Sequence, residues 1–96
     1  MNVAMNKKKL NKIRIKLDRL DSTLLKIIKK RTSLVNLVLK EKTLKNQIVD
    51  NKRIKVILKK IRLKSIKLKI DPQITNKIWK AMIRAFIDYE FRNFKK

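Results

Sequence analysis

A chain of 96 residues with no glycine, cysteine or histidine and a single proline excludes a disulfide scaffold, thiol or imidazole catalysis, and histidine metal sites. Twenty-nine Lys and Arg against seven Asp and Glu give a formal charge of +22, a field that draws nucleic acid, anionic membranes or small anions without choosing among them. The 44% hydrophobic content suits one small domain, residues 1–96 with a core over about 10–94, which would gain from a second subunit.

The N-terminal MNVAMNKKK is basic but leads into no continuous apolar stretch, and nowhere do about 18 apolar residues run uninterrupted. A soluble, cytoplasmic protein with no membrane partner is expected. From Leu10 the row runs through Ile13, Leu17, Leu20, Leu24 and Ile27, then Arg31, Leu34 and Val38, alternately three and four apart and apolar throughout but for Arg31. This is a heptad seam, and it predicts a helix from about Leu10 to Lys42. At 1.5 Å per residue that helix is roughly 50 Å long, too long for a compact domain of this size to cover by itself. A partner helix has to share the seam.

Thr43 to Val49, TLKNQIV, loses the period and reads as a loop. A second helix is expected from about Asp50, with Ile54, Ile57, Leu58 and Ile61 on its inner stripe. IRLKSIKLKI, Ile61 to Ile70, alternates in part like a strand, but nothing else in the chain offers it a pairing partner, so it reads as the end of helix two plus a connector. Asp71-Pro72 is a helix start: the carboxylate can cap free N–H groups and proline brings a preset φ to the first helical position. Helix three then runs to about Phe94, with a stripe of Ile74, Ile78, Trp79, Met82, Ile83, Phe86, Glu90 and Phe94. The fold class is all-α: one long, one short and one medium helix.

Charges stand where apolar residues belong. Arg31 falls in the heptad seam, and a guanidinium there costs desolvation unless an anion completes its hydrogen bonds. Lys42, close to three turns further, lies on nearly the same face about 16 Å along the axis. Asp50 and Arg53, three apart at the start of helix two, share a face just after the loop that must fold back toward Lys42. Arg14 stands about 25 Å from Arg31 along one helix, so both reach one small ligand only if two copies of helix one pack antiparallel. Each feature also has a bland reading. Arg31 can pair with Glu41 across subunits, Glu90 can sit in a frayed exposed turn, Asp50 can be a plain cap, and Lys42 alone can be solvated. The constellation, rather than any one letter, asks for a doubly anionic ligand.

IRIKLDRLDSTLLKIIKKRTSLVNLVLKEK followed by VDNKRIKVILKKI resembles the all-helical class of chorismate mutase. The family pattern of R, LD, R, K, a short loop and D-x-x-R is met by Arg14, Leu20-Asp21, Arg31, Lys42, Asp50 and Arg53, and a C-terminal helix with Glu90 follows. The resemblance covers roughly Leu10 to Phe94. It implies an intertwined helical homodimer with shared sites and a cofactor-free, metal-free rearrangement of chorismate to prephenate, on the branch toward phenylalanine and tyrosine. It further implies that Arg31 and Arg14 of the neighbouring chain clamp the substrate carboxylates, with Arg53 in support. Lys42 and Glu90 would flank the ether oxygen, Asp50 would accept from the ring hydroxyl or orient the loop, and Phe86 would form a wall.

Two departures stand out. Many relatives carry glutamate after D-x-x-R where this chain has Ile54, which removes an acceptor for the substrate hydroxyl. Some carry glutamine where this chain has Glu90, and a carboxylate donates to the ether oxygen only when protonated. Three competing readings remain open at this level: a lyase acting on isochorismate in the same pocket, a basic nucleic-acid-binding protein without specificity, and a structural helical dimer with no ligand.

Overall fold

The computed structural model describes residues 3–96, with side chains from residue 6 onward. The chain forms α1 (Val3–Glu41), a 3-10 turn at Lys45–Gln47, α2 (Asn51–Lys67) and α3 (Pro72–Asn93), with no strand among the described residues. Lengths of 39, 17 and 22 residues match the expected long, short and medium helices. The first helix starts earlier than the heptad seam: Val3 to Lys9 contain neither proline nor glycine, and nothing there breaks the helix. The chain divides into two compact units, Met1–Leu34 and Val35–Lys96.

The first unit is helical throughout its described length. Its Ser and Thr side chains satisfy themselves against the helix: Ser22, Thr23, Thr32 and Ser33 donate to the carbonyls of Asp18, Arg19, Ile28 and Lys29 at 2.9–3.2 Å. The seam itself is open. Leu10, Ile13, Leu17, Leu20, Leu24 and Ile27 are all exposed, Leu20 by 65% and Leu24 by 53%.

The second unit is held together by α2 packed on α3. Along α2, Ile54, Ile57, Leu58 and Ile61 are half-buried, as their spacing predicts. Along α3, Trp79, Met82, Ile83, Phe86 and Phe94 are half-buried and Glu90 is buried. Ile74 and Ile78 depart from the expected stripe, being exposed by 54% and 51%. Thr75, one residue along, takes the inward position at the start of the helix.

A hydroxyl pair explains that rotation. Ser65 of α2 and Thr75 of α3, both buried, meet at 2.7 Å, while the Ser65 hydroxyl lies 2.6 Å from the carbonyl of Ile61. Buried hydroxyls need partners, and here each supplies the other. The turn between the helices is closed by backbone bonds from Ile70 N–H to the Ser65 carbonyl at 2.8 Å and from Lys69 N–H to the Ile66 carbonyl at 3.1 Å. This is a Schellman closure, whose left-handed position normally takes glycine. In a chain without glycine, Lys69 fills it at φ 59°. Asp71 then caps α3 through a bond from Gln73 N–H to its carboxylate at 2.9 Å, with Pro72 in the first turn, as its sequence requires.

The loop before α2 is ordered by one side chain. The Gln47 carbonyl oxygen accepts from Thr43 N–H at 2.8 Å and Leu44 N–H at 2.9 Å, folding the segment so that Ile48 drops to 3% exposure. Ile48 and Leu39 are the buried hydrophobic residues of this unit. Tyr89 of α3 donates to the Asn36 side chain at 2.8 Å, tying α3 to the last turns of α1.

Candidate active site

The end of α1 and the end of α3 bring together two residues that are 48 positions apart. The Lys42 ammonium donates to Glu90 Oε1 at 2.9 Å, and the two side chains retain only 18% and 8% of their exposure. Lys42 follows the last residue of α1, and Glu90 lies within α3, which continues to Asn93. Glu90 is therefore no frayed, exposed terminal residue, being 6% exposed as a whole. A carboxylate buried this far stays only because a cation faces it. Nor is Lys42 a freely solvated lysine.

Asp50 sits at the N-cap of α2 and accepts from Arg53 N–H at 3.0 Å. Capping is thus one job of this carboxylate. Lys42 and Asp50 also line one open pocket of about 480 Å³, together with Gln47, Val49 and Asn51. Cation and carboxylate on the wall of one cavity give polar anchors for a small anionic ligand that also bears a hydroxyl. Arg53 is exposed and Phe86 half-buried. A larger groove of about 640 Å³ is walled by Ile54, Leu58, Ile83, Ile87 and Arg84 and lacks both Lys42 and Glu90. The smaller pocket has the better chemistry, because Lys42, the cation paired with Glu90, lines it together with Asp50.

Arg14 and Arg31 belong to the first unit. Arg14 is exposed on the α1 surface, and Arg31 is half-buried with its Nε shielded from solvent. Thus Lys42, Asp50, Arg53, Phe86 and Glu90 belong to the second unit, and the two arginines to the first.

Two contributors were not read from the sequence. Gln47 shapes the loop that carries the pocket wall, and the only signal was a glutamine in an aperiodic stretch. Lys96 donates to the carbonyl oxygens of Lys40 and Lys42, the latter at 2.8 Å, and one more terminal lysine gives no such hint.

No described helix is long and apolar enough to cross a membrane, and no group of three His, Cys, Asp or Glu among the described residues is placed to hold a metal. A family model described as chorismate mutase type II matches residues 13–91, which takes in α2, nearly all of α3, and Arg14, Arg31, Lys42, Asp50, Arg53, Phe86 and Glu90. No curated protein and no solved structure matches the chain.

Proposed function

Since the chain belongs to the chorismate mutase type II family, a family of isomerases, we propose that it rearranges chorismate to prephenate in a cytoplasmic homodimer, on the branch toward phenylalanine and tyrosine. The observation that carries this reading is the Lys42–Glu90 pair, shielded from water and joined through Lys42 to a pocket that also holds Asp50.

The reaction breaks a carbon–oxygen bond and forms a carbon–carbon bond within one molecule, with negative charge developing on the ether oxygen. It needs no nucleophile and no external proton acceptor. What lowers the barrier is a fixed shape and fixed charge: the substrate held folded, and a cation and a donor aimed at that oxygen. In this reading Lys42 and Glu90 flank the ether oxygen. Arg31 and Arg14 of a second copy hold the two carboxylates, and Arg53 supports them. Asp50 accepts from the ring hydroxyl and Phe86 adds an apolar wall, while Ile54 lines the larger groove, which shares Val49 and Asn51 with the pocket of Lys42 and Asp50.

The exposed seam of α1 supports the second copy. A heptad row with Leu17, Leu20, Leu24 and Ile27 open to water is strongly favoured to pack against another such row. The same packing in antiparallel sense brings the arginine of one chain toward the site of the other.

The test is direct. Purified protein mixed with chorismate should consume its absorbance, with prephenate identified as product. A lyase would instead release pyruvate from isochorismate, and a structural dimer or nucleic-acid binder would leave both substrates untouched. Sharing of the site has its own assay. Arg14→Ala and Lys42→Ala proteins, each reduced to a small residual rate, should regain about a quarter of wild-type activity after unfolding and refolding together, because half of the dimers are hybrids with one intact site of two. No recovery would refute the shared site.

A further inference from the structure

The segment after α3 lies against the end of α1, where Lys42 begins the loop. α1 stops at Glu41, so the carbonyls of Lys40 and Lys42 lack the N–H groups that a continuing helix would bring them. The Lys96 ammonium donates to both of these carbonyls, at 2.8 Å for Lys42. A cation there meets unsatisfied acceptors and the negative end of the helix dipole together. The tail is anchored on the way. Phe94 is half-buried, Asn93 Nδ2 donates to the Tyr89 carbonyl at 2.8 Å, and Tyr89 is itself bonded to Asn36.

Lys42 is consequently held at three places: its N–H bonds to the Leu39 carbonyl at 3.2 Å, its carbonyl accepts from Lys96, and its ammonium reaches Glu90. Only the last of these involves the reacting end. The first two fix the base of a long, flexible side chain, whose ammonium would otherwise sweep a wide volume.

We propose that Lys96 is a positioning residue for Lys42: it holds the main chain from which the catalytic ammonium extends, without touching the substrate. This assignment rests on the mutase reading of the Lys42–Glu90 site. A displacement of about 1 Å at a reacting group is enough to cost up to two orders of magnitude in rate. Loosening one of two main-chain tethers should cost less, and the loss should appear in turnover rather than in substrate binding.

Steady-state kinetics of the full chain with chorismate test the assignment. Lys96→Met should lower kcat about tenfold and leave KM within about twofold, with the helical circular dichroism unchanged. In a Lys42→Ala background, whose residual rate is the reference, Lys96→Met should change kcat by less than about twofold, since there is no ammonium left to position. A kcat unaffected by Lys96→Met, an equal loss in both backgrounds, or loss of the helical signal in the single variant would each overturn the positioning role while leaving the mutase reading intact. A wild-type protein inert toward chorismate would overturn both.

Discussion

The Lys42–Glu90 pair can be weighed by a double-mutant cycle with Lys42→Met and Glu90→Leu. At 2.9 Å, in an effective dielectric of about 20, the Coulomb attraction is roughly 6 kcal/mol. Desolvation of two groups that keep 18% and 8% of their side-chain exposure offsets much of that gain. The single changes should not be equal. Lys42→Met strands a carboxylate on a short stem in a buried position, at a cost of about 3 kcal/mol. Glu90→Leu leaves an ammonium on a four-carbon stem that can turn to water, so about 2 kcal/mol is expected. Removing both leaves apolar side chains of similar size and no stranded charge, costing about 2 kcal/mol, so the singles overshoot the double by about 3 kcal/mol. Urea unfolding of the four proteins at one fixed concentration measures these differences, the fixed concentration guarding against coupling to association. A departure from additivity within about 0.5 kcal/mol, the range of an exposed surface pair, would refute the reasoning. So would a milder effect of Lys42→Met than of Glu90→Leu.

Three further outcomes are expected. Glu90→Ala should lower kcat about a hundredfold or more, whereas Glu90→Gln, whose amide can donate to the ether oxygen, should retain most of the rate; a Glu90→Gln protein as slow as Glu90→Ala would contradict the donor role. Ile54→Glu should restore an acceptor for the substrate hydroxyl and lower KM about threefold or more with kcat nearly unchanged, whereas a change confined to kcat would contradict the assigned binding role. Lys69→Gly should relieve the left-handed backbone at φ 59° and stabilise the protein by about 0.5–1 kcal/mol after the greater freedom of glycine in the unfolded chain is counted, raising Tm by a few degrees in a thermal melt.

Local chemistry made the helices legible. Asp71-Pro72 announces a helix start by capping and preset φ, and both operate there. The loss of period after Lys42 marks the loop, and the three–four spacing from Leu10 marks the seam. The early start of α1 was not legible, because Val3 to Lys9 carry no stop signal and no apolar period. The rotation of α3 was hidden too. Ile74 and Ile78 are better core residues than Thr75 on any hydrophobic scale, and only the opposing Ser65 makes a threonine the inward choice. Turn geometry at Lys69 was invisible for a related reason: the residue that usually signals it is missing from the chain altogether. For the site, the order and spacing of charged residues brought Arg14, Arg31, Lys42, Asp50, Arg53 and Glu90 into view and the family resemblance added Phe86, but neither gave the contact between Lys42 and Glu90, which depends on how α3 returns along the second unit.

The Lys42 ammonium rests on Glu90. A lysine arm at rest on a fixed acceptor has surrendered its rotational freedom before any guest arrives, so the ordering loss is charged to folding rather than to encounter. In the proposed reaction, the ammonium that is to meet the ether oxygen is thus already held at its post.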